Sequence, residues 1–152
     1  MADGRSHDAC HRRTMSTTYT FGRRIRGAPA GLRPLVEAAL KAEGFGVITE
    51  IDVAATIKAR LGLEIEPYLI LGACNPSLAH RAIEEDPSVG ALLPCNVVLR
   101  ADGDATIIEA IDPVLAMRLA ATPALTAIAT EARARLARSL AAVQRVAVPI
   151  AS

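Results

Sequence analysis

Tyr68-Leu69-Ile70-Leu71-Gly72-Ala73-Cys74-Asn75-Pro76 is the stretch whose reading decides the fold of this chain. Tyr68 to Cys74 is apolar or small throughout, the pattern of a central strand covered on both faces. Asn75-Pro76 then supplies a cap residue and a proline at the first helical position, so a helix follows at once. That helix carries Leu78, Ala79, Ala82 and Ile83 inward and stops at Pro87. A buried strand feeding a capped helix needs further strands beside it and further helices over it.

Both are legible on either side. Upstream, Ser16 to Arg23 reads as a first strand. Leu32, Leu35, Val36, Ala39 and Leu40 then share one helical face, which Gly44 ends. Phe45 to Ile51 reads as a strand, and Asp52 caps a short helix with a face of Val53, Ile57 and Leu61, ended by Gly62. Downstream, Pro94 to Arg100 and Ala105 to Ile111 form a hairpin around Ala101-Asp102-Gly103-Asp104. Residues 113–121 are a short helix or an irregular connection. Thr122-Pro123 opens a long C-terminal helix, about 123–147, striped by Leu125, Ile128, Ala132, Leu136, Leu140 and Val143. Arg133, Arg135, Arg138 and Arg145 lie off that stripe, with Glu131 one turn before Arg135. The expected class is α+β: one two-layer domain over 16–152, with a mainly antiparallel or mixed sheet of about five strands packed with helices. Residues 1–15 are polar and aperiodic and read as a disordered N-terminal tail, with Met15 as an alternative start.

Composition narrows the function classes. Of 152 residues, 51% are hydrophobic and 22% charged, as in a packed globular domain. Seventeen Lys+Arg against 16 Asp+Glu leave a net charge of +1, which creates no general field for nucleic acid or anionic lipid. Aromatics are 3% and Trp is absent, so base stacking is a poor expectation. Met1 to Tyr19 holds no apolar run of a secretory signal, no stretch reaches the length of a membrane span, and three cysteines fit a reducing compartment. The expectation is a cytoplasmic protein with neither nucleic-acid nor membrane partner and no structural disulfide.

Chemistry concentrates at two cysteines. Cys74 ends a strand immediately before a capped helix start, where free amides and the helix dipole favour a thiolate. Cys95 opens the hairpin in Leu93-Pro94-Cys95-Asn96-Val97. If the two strands are neighbours, the thiols could share a pocket and act as a redox couple, as soft-metal ligands or as a contact for an iron cofactor. Against this, Cys95, Val97 and Leu99 alternate onto one strand face, and a free cysteine packs as a small hydrophobe. Asn75 and Asn96 could position polar ligand groups. His80, one turn into the helix, could serve the Cys74 thiol with Glu84 orienting it, or face solvent with Arg81. Glu50 could bring a carboxylate to the pocket. His7, Cys10 and His11 match no zinc spacing. Asp102, Gly103 and Asp104 lack the further ligands of a calcium loop. GxGxxG, GxxxxGK[ST], HExxH and GxSxG do not occur.

Three blocks, Gly44-Phe45-Gly46-Val47-Ile48-Thr49-Glu50-Ile51-Asp52, Leu71-Gly72-Ala73-Cys74-Asn75-Pro76 with Ala79-His80, and Leu93-Pro94-Cys95-Asn96-Val97-Val98, resemble in order and spacing the bacterial and archaeal family known as domain of unknown function 302. The resemblance runs from about Tyr19 to at least Pro113. It implies a compact α+β cytosolic domain that forms homodimers, and supplies no reaction. Its cysteine blocks fall on Cys74-Asn75-Pro76 and Pro94-Cys95-Asn96, and the glutamate of its second strand on Glu50. The polar tail before Met15 departs from the compact members.

Two functions follow as expectations. The first is a small-ligand or cofactor-binding module, with a pocket around Cys74, Asn75, Cys95 and Asn96 flanked by His80 and Glu50, sharpened as thiol redox or soft-metal binding. The alternative is a non-catalytic homodimeric interaction module, docking through a sheet edge or the long helix. Catalytic residues, metal and cofactor stay unassigned. Acid–base catalysis by Glu50 and His80 has no spacing to recommend it.

Overall fold

A computed structural model describes residues 14–120 and 122–147. The expected tail of 1–15, with His7, Cys10 and His11, lies almost wholly outside the described residues. Its last two positions, Thr14 and Met15, belong to a short strand β1 (Thr14–Ser16). The elements that follow are β2 (Thr20–Arg26), α1 (Pro29–Ala42), β3 (Gly46–Asp52), α2 (Val53–Leu61), β4 (Tyr68–Cys74) and α3 (Pro76–Glu85). After a 3-10 turn over Pro87–Leu92 come β5 (Cys95–Asp102), β6 (Ala105–Ile111), α4 (Pro113–Met117) and α5 (Pro123–Ala147). The class is α+β, as the periodicity predicts.

The six strands lie in the order β1-β2-β6-β5-β4-β3, and every neighbouring pair is antiparallel. Beyond α1, the strands β3 to β6 simply meander back, and β2 closes beside β6. Among the described residues, this places β3 at an edge of the sheet. Register sets the faces, because residues directly opposite one another project the same way. Leu71 pairs with Val97, Val97 with Ala110 and Ala110 with Phe21. All four are buried, in a core that also takes Leu32, Val36 and Leu40 of α1 and Leu136, Leu140 and Val143 of α5. Ser139, buried on α5, donates to the carbonyls of Ala39 at 3.2 Å and Arg135 at 3.1 Å, so the crossing of α1 and α5 satisfies its hydroxyl.

A second apolar cluster packs α3 onto the first half of α5: Leu78, Ala82, Val89, Met117, Leu125 and Ile128. The long stripe of α5 therefore serves both clusters, and all six of its residues are buried. Its arginines are held at the surface. Arg133 pairs with Asp112 at 3.0 Å and stacks 4.8 Å above the Phe21 ring, and Arg138 pairs with Glu43 at 3.0 Å.

Two readings of local pattern are corrected. The face of Val53, Ile57 and Leu61 does not become core: α2 has no buried residue, and Leu61 is 67% exposed. Ile83, expected inward, points out from α3, because α5 covers only the side of Leu78 and Ala82. In addition, the strand expected from Ser16 to Arg23 is divided: Ser16 ends β1, Thr17 and Thr20 make a turn, and β2 runs over Thr20–Arg26.

Candidate functional site

The end of β4 that carries Cys74 is built by three local devices. Asn75 caps α3, its Oδ1 accepting the Leu78 N–H at 3.2 Å. Gly44, at φ +86, turns the chain from α1 into β3. A β-carbon there would stand 3.0 Å from Nδ2 of Asn75, so close approach as well as backbone sign calls for glycine. Arg135 Nη1 donates to the Glu43 carbonyl at 3.2 Å, and the Arg138 guanidinium holds the Glu43 carboxyl below its usual range. Between the two apolar clusters lies a cavity of about 40 Å³. Its walls are Ala73 and Cys95 from the sheet, Ala79 and Ala82 from α3, and Ala129 and Ala132 from α5. Short side chains at a seam where two cores meet leave that space unfilled. It has room for a few water-sized molecules, and is well below the roughly 150 Å³ that takes up benzene.

The two cysteines do not form a pair. Cys95 is directly opposite Ala73, and both face the helices. Cys74 is the next residue of β4 and projects to the other side, the side of Gly72, where Thr49 and Pro94 approach so closely that no β-carbon fits. Cys74 and Asn75, at the end of the strand, still belong to the cavity's lining. Both thiols are free, Cys95 buried and Cys74 half-buried. Burial, with a smaller contribution from Cys74, pushes the Cys95 thiol up to about 11, so it is a protonated apolar wall at neutral pH.

The remaining sequence candidates lie elsewhere. Asn96 is exposed on β5, opposite Gly72 and on the face away from Cys95. His80 is 73% exposed, with Nε2 3.5 Å from Glu84, so the solvent-facing reading describes it. Glu50 is exposed on β3 and ion-paired with Arg33 at 2.8 Å. Among the described residues, no group of three or more His, Cys, Asp or Glu could hold a metal. No helix there is long and apolar enough to cross a membrane.

The opposite end of β4, at Tyr68, holds what sequence reasoning missed. A groove of about 310 Å³ opens between the start of α1, α2 and the connection into β4. Its lining includes Ala54, Ala55, Lys58, Ile65, Tyr68 and Leu69, with Asp52 and Glu64 at the charged rim. Ile65 in its lining is 42% exposed, and along the same segment Ile48, Ile51, Leu61 and Leu63 are between 49% and 67% exposed. A signal was present in Leu61-Gly62-Leu63-Glu64-Ile65-Glu66, an apolar–polar alternation with the period of a strand in a segment that forms none.

Among known proteins, the model of a family described as "Domain of unknown function DUF302" matches residues 32–143. The crystal structure of an uncharacterised conserved DUF302 protein from Bacillus stearothermophilus is similar to this chain. The two are 30% identical, the likeness covers 83% of this chain and 98% of that one, and the TM-score is 0.77. No curated protein matches.

Proposed function

The chain belongs to the DUF302 family, and from that premise we propose that it is a non-catalytic interaction module whose partner is a second copy of itself, met through β3 and α2. One observation carries the reading: Ile51 on the edge strand β3, and Leu61 and Leu63 at and just beyond the end of α2, are large aliphatic side chains of one segment that stay 49%, 67% and 58% exposed. Large apolar side chains left exposed in one segment are a mark of an interaction site. An unpaired edge strand offers its N–H and C=O groups to another chain. Pairing across a two-fold axis uses the same patch twice, and Arg33 already neutralises Glu50 at that edge, which lowers the repulsion between two copies. The other surface considered, the stripe of α5, is consumed by the domain's own core, so a chain cut near Thr122 would lose its fold before it lost a partner.

Sedimentation velocity of the full chain over a dilution series is the test. A concentration-dependent dimer is expected, reduced to monomer by the double change Ile51→Glu and Leu61→Glu with unchanged circular dichroism. A wild-type chain that stays monomeric, or a variant that dimerises as well, removes this reading.

A small-ligand pocket at the cysteine end is the second reading, favoured by the apolar cavity beside Cys95. With about 40 Å³ available, its guest is a molecule or group of very few heavy atoms, and Cys95 serves as wall rather than nucleophile. Redox or soft-metal work by two thiols has little support, since the register sends their side chains to opposite faces.

A further inference from the structure

We propose that the groove at the Tyr68 end of β4 binds a small zwitterion with an apolar body, the chemistry of a free aliphatic α-amino acid. Its volume, about 310 Å³, lies at the lower end of the range typical of small-molecule sites. The space exists because Ala30, Ala54 and Ala55 stand where longer side chains would fill it. Ile65 and Leu69 provide an apolar wall, and Ile65 remains 42% exposed beside the open groove.

The polar groups around that wall carry both signs. Lys58 Nζ lies 2.8 Å from Glu64 Oε1, an ion pair exposed to solvent on both sides. Asp52 spends one carboxylate oxygen on the Ala55 N–H at 2.9 Å and has no ion pair among the described residues. The Tyr68 hydroxyl has no hydrogen bond there either. A guest with one charge would meet only one of these two signs, and an exposed pair gives it little to gain by displacing the other. A zwitterion avoids this: its carboxylate meets Lys58, with Tyr68 as a further donor, and its ammonium meets Glu64 and Asp52. One exposed ion pair is thereby exchanged for two, while the apolar body covers Ile65 and Leu69.

The experiment is an amide chemical-shift titration of the full chain with L-leucine, run beside 4-methylpentanoate, which lacks the ammonium, and 3-methylbutylamine, which lacks the carboxylate. Saturable shifts are expected at Ala54, Ala55, Lys58, Ile65 and Tyr68 with L-leucine, and at least about tenfold weaker binding of either analogue. Ala55→Leu fills the groove from an exposed helix position and should abolish the shifts with the fold intact. Absence of saturable shifts overturns the proposal, as does equal binding of an analogue or undiminished binding by the Ala55→Leu chain. Self-association is read by sedimentation, so either inference can fail while the other stands.

Discussion

The two ends of β4 share a strand and its neighbours, yet one is closed and the other open. At Cys74 the chain enters α3, whose Leu78 and Ala82 meet α5, and the space left over is about 40 Å³. At Tyr68 it arrives from α2, which buries nothing and leaves about 310 Å³. Both helices begin on an Asx cap, Asn75 on Leu78 N–H and Asp52 on Ala55 N–H. Capping therefore does not separate them. What separates them is whether another helix crosses the apolar face, and that is a property of the topology. Closure makes the cysteine end a place where mutation costs stability, and openness makes the other end a place where mutation costs association or binding.

The largest contrast should come from truncating one apolar side chain at each end. Phe45, 2% exposed and lining the small cavity at the cysteine end, should lose about 3–5 kcal/mol as Phe45→Ala. Leu61→Ala should stay within about 0.5 kcal/mol in the monomer. Urea denaturation of both variants checks this, and similar losses would dissolve the distinction.

The next effect is alkaline. Burial pushes the folded Cys95 thiol up to about 11, from an ordinary value of 9.0. The proton is held more tightly when folded, so its contribution is fully present below the unfolded value and is lost as pH rises towards 11. The loss should be of the order of 2–3 kcal/mol. Urea midpoints across that window should fall more steeply for wild type than for Cys95→Ala. Equal slopes would mean that the cysteine end is wetter than its packing implies. Smallest is the comparison of caps: Asn75→Ala should cost about 1 kcal/mol of global stability. Asp52→Ala should leave the global value nearly unchanged, because α2 contributes no core, while amide exchange over 53–61 accelerates. A global loss as large for Asp52→Ala would show that α2 folds as part of the core.

Much of this was legible from residue order. The all-apolar run at Tyr68–Cys74, the Asn75-Pro76 helix start, the Gly103 hairpin turn and the six-residue stripe of α5 each express a local rule, and each is present. The candidate site was less legible. Cys74, Asn75 and Cys95 do gather around one cavity wall, but Asn96, His80 and Glu50 are turned to solvent. The helix over 53–61 was readable, and its lack of a covering partner was not. Likewise the alternation of Leu61, Leu63 and Ile65 was visible without revealing that it stays in water.

Composition and periodicity, acting over a few residues through caps, turns and side-chain alternation, were enough to determine the α+β class, the four longer helices α1, α2, α3 and α5, and the buried stripe of α5. Tertiary structure alone decided which face each cysteine takes and which apolar stripe finds a partner. Strand register and helix crossing are set by contacts between residues far apart in the chain, such as Ala73 with Cys95 and Ala39 with Ser139. A one-residue difference in position along β4 is enough to send Cys74 to the opposite side of the sheet from Cys95.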